Sequence, residues 1–162
     1  MSDFAWKSLK FDIKLLKILS DKTVVPGNQY EWGGKVDDDA DSTEVVEKGI
    51  DCSGYTKWLL ARCADTKIPD GSVAQREWVE SQGFKESTVD AALLQDGYLR
   101  IAFLAPVYRN GKMQHAGHVL LVRNGMTYES RGGNGPDRRI WNGKGFQANM
   151  KVFVLSKPED QF

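Results

Sequence analysis

Apolar residues at the start of the chain recur at helical spacing. In MSDFAWKSLKFDIKLLKILSDK, Leu9, Ile13 and Leu16 form a stripe that Phe4, Trp6, Leu15 and Leu19 thicken, which predicts an amphipathic helix packed on the rest of the molecule. The next stretch, TVVPGNQYEWGGKVDDDADSTE, is rich in Gly, Pro and Asp and predicts a long loop. From Ser53 to about Ala64 the residues Tyr55, Trp58, Leu59 and Ala61 or Arg62 restore a helical period, and a shorter helix is predicted to begin with Ser72 as N-cap and to run through Trp78. The pattern then changes. YLRIAFLAPVY, GHVLLV, MTYES and MKVFVL are β-rich runs separated by RNGKMQ, RNG and the glycine-rich RGGNGPDRRIWNGKGF. In VRNGMTYE an Asn-Gly pair stands between two apolar runs, the strongest short-range signal for a hairpin. The expectation is an α+β fold in which helices gather on one side of an antiparallel sheet of four or more strands. The helical part covers about 1–95 and the sheet part about 96–156 of one domain spanning 1–162.

Composition narrows the functional classes. With 162 residues, 41% of them hydrophobic and 27% charged, the chain has the size and balance of one globular domain with a core of its own. No apolar run approaches the roughly 18 residues of a membrane span. The formal net charge is zero, so the sequence offers no broad basic surface for nucleic acid or anionic lipid, and neither is expected as a partner. The acidic run DDDADSTE lacks the Gly and the closing Glu of a calcium loop at their required offsets and reads as a solvated surface. No metal and no cofactor is expected. The first 22 residues carry charges every few positions and lack the apolar centre of a secretory signal, so synthesis in the cytoplasm without such a signal is the expectation.

The candidate chemistry begins at GIDCSGYTKWLL. If Cys52 and Cys63 lie eleven residues apart on one helix, their Cα atoms are about 16 Å apart at 1.5 Å per residue, beyond the roughly 7 Å limit for a disulfide. Cys63 reads as a small buried hydrophobe. Cys52 reads as a nucleophile, because the unpaired N–H groups and the dipole at a helix start stabilise a thiolate; Gly54 is expected to leave one side open to substrate. A thiol nucleophile needs a base, and the histidines are His115 and His118. His115 lies in the polar stretch RNGKMQHAG and reads as a surface residue. His118 opens the run HVLLV after Gly117, on a rigid strand, with the small Gly117 expected to leave its ring accessible. Strand alternation across the Asn-Gly hairpin places Tyr128 or Glu129 on the face of His118, and Glu129 is chosen as the group that orients the base.

These residues also carry a family likeness. YEWGG, then DCSG at a helix start about twenty residues later, then IPDGSVAQ and the trailing Gly83, then GHVLLV and a Gly-containing turn resemble the NlpC-type cell-wall cysteine peptidases, a branch of the papain-like fold. The likeness runs from about Tyr30 to Glu129, and the order is cysteine first, histidine later. The segment DGYLRIAFLAP with AGHVLLV also resembles the small cell-wall amidase effectors delivered by type VI secretion. Two positions depart from the family pattern: LQDGYLRIAF stands where the family has a Pro-Gly-Asp strand opener, and the third catalytic position, often His, Asn or Gln, is Glu129.

The resemblance implies a cysteine endopeptidase or amidase acting on peptidoglycan stem peptides, typically at the bond between the γ-carboxyl of D-glutamate and diaminopimelate. It implies Cys52 as nucleophile, His118 as base, Tyr30 beside the thiolate, and Asp51 and Ser53 as neighbours that shape substrate contacts. Stem peptides carry free carboxylates, so RGGNGPDRR offers Arg131, Arg138 and Arg139 as readers of carboxylate, with Arg131 chosen; Trp32 and Trp141 are candidates for walls of the cleft. A chain this short leaves no room for a separate wall-binding domain. Delivery by a phage or a secretion carrier, with an immunity protein in a producing cell in the second case, both fit, and a monomer is expected. Two other readings stay open: a catalytically silent wall-binding or phage structural module of the same fold, and a cysteine hydrolase of another amide.

Overall fold

The structure is a computed structural model that describes residues 6–27 and 29–162. Phe4, part of the predicted first stripe, lies outside the described residues. The first helix, α1 (Ile13–Thr23), starts later than the apolar stripe suggests, because the Asp12 carboxylate accepts the Leu15 amide at 2.9 Å and caps it there. The stretch before it, including Trp6 and Leu9, is not helical. Leu9 donates its amide to the Leu155 carbonyl at 2.8 Å and Phe11 donates to Asp160 at 3.0 Å, so these side chains are buried by the C-terminal segment.

The predicted long loop ends early in a short helix, α2 (Ser42–Lys48), capped by Asp41, whose side chain accepts the Glu44 amide at 2.9 Å. This Asp-Ser-Thr-Glu start is a capping signal that the surrounding run of acidic residues obscures. Next come α3 (Cys52–Ala64) and α4 (Ser72–Ser81). The N-cap of α4 is Gly71 at φ 86°, not Ser72, which is the first helical residue.

Seven strands follow: β1 (Leu99–Leu104), β2 (Val107–Arg109), β3 (Lys112–His115), β4 (His118–Arg123), β5 (Met126–Arg131), β6 (Gly135–Asp137) and β7 (Lys151–Ser156). Five of them form one antiparallel sheet in the order β6-β5-β4-β1-β7, while β2 and β3 pair only with each other. The order of helices first and antiparallel strands after is the α+β arrangement that the sequence pattern predicts.

Both faces of the sheet are covered, by different material. Ile101, Phe103, Val119, Leu121, Tyr128, Phe153 and Leu155 pack with Leu16, Tyr55, Leu59 and the other apolar residues of the helices. Their alternating neighbours Ala102, Leu120, Val122 and Val152 pack instead with Ala92, Trp141 and Met150 from the connecting segments. Alternation along β4 and β5 therefore sends some side chains towards the helices and some away from them.

Candidate active site

Cys52 is the first residue of α3 and Asp51 its N-cap. The Asp51 carboxylate accepts the Gly54 amide at 2.7 Å and the Ser53 hydroxyl at 3.2 Å, which fixes the turn on which the thiol is carried. Three further bonds hold this turn in place: Asp51 donates its amide to the Gly34 carbonyl at 3.0 Å, Ile50 donates to Gln29 at 2.9 Å, and the Ser130 hydroxyl donates to the Ile50 carbonyl at 2.6 Å. Gln75, fully buried, adds a fourth support by donating to the Ser53 carbonyl at 2.9 Å and the Pro69 carbonyl at 3.0 Å.

His118 is the first residue of β4, at the end of the sheet. Cys52 lies close enough to the His118 ring to raise its pKa, and His118 Nε2 lies 2.8 Å from Glu129 Oε1. With Nε2 occupied by the carboxylate, Nδ1 is the nitrogen left for the thiol. Glu129 is fully buried on β5 and on the face of His118, as the pairing of Val122 with Thr127 and of Leu121 with Tyr128 requires. Thr127, on the same face, donates its hydroxyl to Glu129 Oε2, while the Arg139 amide donates to the Thr127 hydroxyl at 2.7 Å. The Arg139 guanidinium grips both carboxylate oxygens, with Nε 3.1 Å from Oε2. Phe146 closes the group, edge-on to the His118 ring at 5.9 Å and 4.8 Å beneath the Arg139 guanidinium.

Alternation on β5 thus gives one strand two tasks. Thr127 and Glu129 hold the His118 ring on one face, and Ser130 on the other face holds the segment that leads into Cys52. β5 thereby ties the Cys52 turn to the strand that carries His118.

The electrostatics follow from this geometry. Burial alone would pull the His118 pKa down, but the hydrogen bonds and charges of Cys52 and Glu129 outweigh it and raise the value to about 9. Burial would likewise raise the Glu129 pKa, yet the hydrogen bonds from His118, Arg139 and Thr127 bring it down to about 2. An imidazolium flanked by a permanent carboxylate is thereby favoured over a wide pH range. Tyr30 is pushed up to about 12, first by burial and then by the proximity of Cys52 and Asp51, and it shares a hydrogen bond with the Cys52 backbone. It is a neutral phenol beside the Cys52 thiol. Cys63, also free and buried, has its pKa raised to about 12, chiefly by burial, and is inert by comparison.

Several expected roles change. Gly54 does not open a side to substrate: a Cβ there would lie 2.6 Å from the Gly34 carbonyl oxygen, so glycine is needed for close backbone packing. Gly117 is similar, with the Leu104 carbonyl oxygen 2.8 Å and the Ser72 hydroxyl 2.9 Å from the position of a Cβ. Trp141 is buried in the core away from the helices and donates its indole N–H to the Val89 carbonyl, so it walls no cleft. Trp32 is exposed, two residues after Tyr30. Arg131 pairs with Asp137 at 2.8 Å and Arg138 with Asp21 at 2.6 Å, while Arg139 serves Glu129; each of the three guanidiniums already has a carboxylate of its own. Thr127, Ser130, Gln75 and Phe146 are supports that sequence reasoning missed. Thr127 stands two residues before Glu129, where strand alternation alone would have placed it on the same face.

The geometry is that of a cysteine, a histidine and a carboxylate in series. A family model described as NlpC/P60 family matches residues 27–154, most of the chain, and takes in all three. The chain belongs to the NlpC/P60 family. Membership accounts for the α+β architecture as the papain-like fold of that family and makes the protein, in general terms, a cysteine hydrolase of the cell-wall peptidase class. No curated protein matches the chain. Among the described residues, no helix is long and apolar enough to cross a membrane.

Proposed function

We propose that this NlpC/P60 protein is a peptidoglycan hydrolase that cuts stem peptides at the γ-D-glutamyl-diaminopimelate bond through an acyl-enzyme. The observation that carries the reading is the series of Cys52 at the start of α3, His118 on β4 and Glu129 on β5. His118 Nδ1 already holds the proton of the Cys52 thiol as an imidazolium, and the thiolate attacks the γ-carbonyl carbon of the glutamyl residue. The positive end of the α3 dipole steadies the oxyanion. The imidazolium then gives its proton to the departing amine of diaminopimelate as the C–N bond breaks, leaving a thioester on Cys52. His118 next draws a proton from water, whose oxygen attacks the thioester; the thiolate leaves beside the imidazolium, and the free γ-carboxylic acid is released. Glu129 holds the ring in the tautomer this cycle needs and stabilises its charged form.

Tyr30, Asp51 and Ser53 border the thiol and take part in substrate placement, with Trp32 exposed nearby. We place the site of action at the bacterial cell wall, in the periplasm, after release by secretion or by phage lysis. The test is incubation of purified wild type and Cys52→Ala with Gram-negative sacculi, followed by mass spectrometry of the soluble muropeptides. Fragments ending in glutamate, produced by the wild type and absent with the variant, are expected. Intact sacculi with a wild-type protein that still reacts with a thiol-directed probe would mean that the catalytic site acts on another amide.

A further inference from the structure

The bond proposed above leaves the α-carboxylate of the D-glutamyl residue free and close to the attacked carbonyl. The arginines expected to read such a charge are committed to Asp137, Asp21 and Glu129. A different cation shares a cavity with the residues that flank Cys52. A cavity of about 200 Å³ is lined by Gly33, Lys35, Asp51, Ser53, Gly54, Asp70 and Gly71, so it opens against the residues on both sides of Cys52. Broader surface hollows include none of the residues that flank the thiol, although one of them, lined by Asp37 and Lys57 among others, shares Lys35 and Asp70 with the small cavity. The rim of the small cavity is open: a Cβ on Gly33 or Gly71 would meet nothing within 4 Å.

Lys35 is the cation of this cavity. Its ammonium group lies 3.2 Å from Asp70 Oδ2, and both side chains are more than half exposed. Asp70 has a second partner on its other oxygen, Lys57 at 3.1 Å, and its pKa is lowered first by the hydrogen bond from Lys57 and only later by the one from Lys35. Lys35 can therefore turn to another carboxylate without leaving Asp70 unpaired, and the bond it gives up is an exposed one of small worth. The Asp51 carboxylate on the opposite wall is already engaged by Ser53 and Gly54.

We infer that Lys35 reads the free α-carboxylate of the glutamyl residue and so sets a preference for the unamidated stem peptide; the inference rests on the bond assigned under Proposed function. The contact forms in the ground state and persists through attack, so its loss acts on KM more than on kcat.

The test compares L-alanyl-γ-D-glutamyl-diaminopimelate with the same peptide carrying an α-carboxamide on the glutamyl residue. Wild type is expected to favour the carboxylate by about fivefold in kcat/KM, the scale of one solvent-exposed ion pair. Lys35→Met brings the ratio to about one through KM, Lys35→Arg keeps most of it, and Asp70→Asn raises it by removing the competing partner. A ratio unchanged in Lys35→Met overturns the inference, as does improved cleavage of both peptides, which would mean that Asp51 and Asp70 make the cavity a site for an amine. If wild type cuts neither peptide, the assigned bond is wrong and Lys35 falls with it, whereas equal cutting of both by wild type leaves the bond standing and removes only Lys35.

Discussion

The chain uses the tripeptide Arg-Asn-Gly twice, at 109–111 and at 123–125, and the backbone is nearly the same each time. Asn110 and Gly111 have φ of 52° and 74°, and Asn124 and Gly125 have 51° and 75°. Both are the two-residue turns with positive φ that suit a right-handed hairpin. The outcomes are opposite. The first turn joins β2 and β3, every residue of which is exposed, with Tyr108 57% and Met113 47% accessible. The second joins β4 and β5, whose central residues are all buried and which carry His118 and Glu129. Turn chemistry decides where a strand reverses; the residues on either side decide whether the hairpin is an arm in solvent or the frame of a catalytic site. VYR and KMQH offer no apolar face long enough to join the sheet, while HVLLVR and MTYESR offer two.

The contrast breaks most completely at Glu129. Replacing it with Ala leaves the Arg139 guanidinium partly buried without its carboxylate and the His118 ring without its orienting partner. Loss of a buried pair's partner costs about 3–5 kcal/mol, and loss of the orienting carboxylate costs about 10²- to 10⁴-fold in kcat. Denaturant unfolding and muropeptide release measure the two. No substitution on β2 or β3 is expected to approach either figure, because no side chain there is buried.

Glu129→Gln separates charge from shape. In the wild type, the raised His118 pKa contributes stability that is fully present below about 6.5 and is lost as pH rises through about 9. The lowered Glu129 pKa contributes stability that is present above about 4.5 and lost as pH falls through about 2. Removing the negative charge lets the His118 pKa fall, so the alkaline decline of kcat/KM is expected to begin at lower pH in the variant. An unmoved alkaline limb would mean that His118 is not the acid that protonates the leaving amine. His115, exposed on β3, serves as the control: His115→Gln should leave the profile where it is.

How far the sequence reveals this arrangement depends on the range of the interaction. Glu129 was legible because it needs only the Asn-Gly turn at 124–125 and a period of two, both local. The helix start at Cys52 was legible from Asp51, Cys52, Ser53 and Gly54 for the same reason. The first helix was overextended because the apolar residues before Asp12 fit a helical stripe as well as they fit the groove beside Leu155, and only the tertiary hydrogen bond decides between the two. The bond from Ser130 to Ile50 spans eighty residues, and no spacing rule reports it. The arginines were placed by composition on a loop near the site, but composition does not reveal which carboxylates face them. The turn at 110–111 read as a spacer because its flanks lack alternation, and that lack is also why it forms an arm.

The finest test of the comparison is the same substitution in both turns. Gly111 and Gly125 each hold a left-handed backbone, and at each a Cβ would meet nothing within 4 Å, so alanine introduces backbone strain alone. That strain is on the order of 1–2 kcal/mol at either position. At Gly125 the turn closes two strands of the main sheet, so Gly125→Ala is expected to lower the unfolding free energy by about that amount. At Gly111 the arm can open by itself, as short hairpins do in water, so Gly111→Ala is expected to leave global stability within about 0.3 kcal/mol while β2 and β3 amides exchange faster. Equal losses in the two melts would show that the arm unfolds with the sheet, and the distinction between arm and frame would then be one of exposure only.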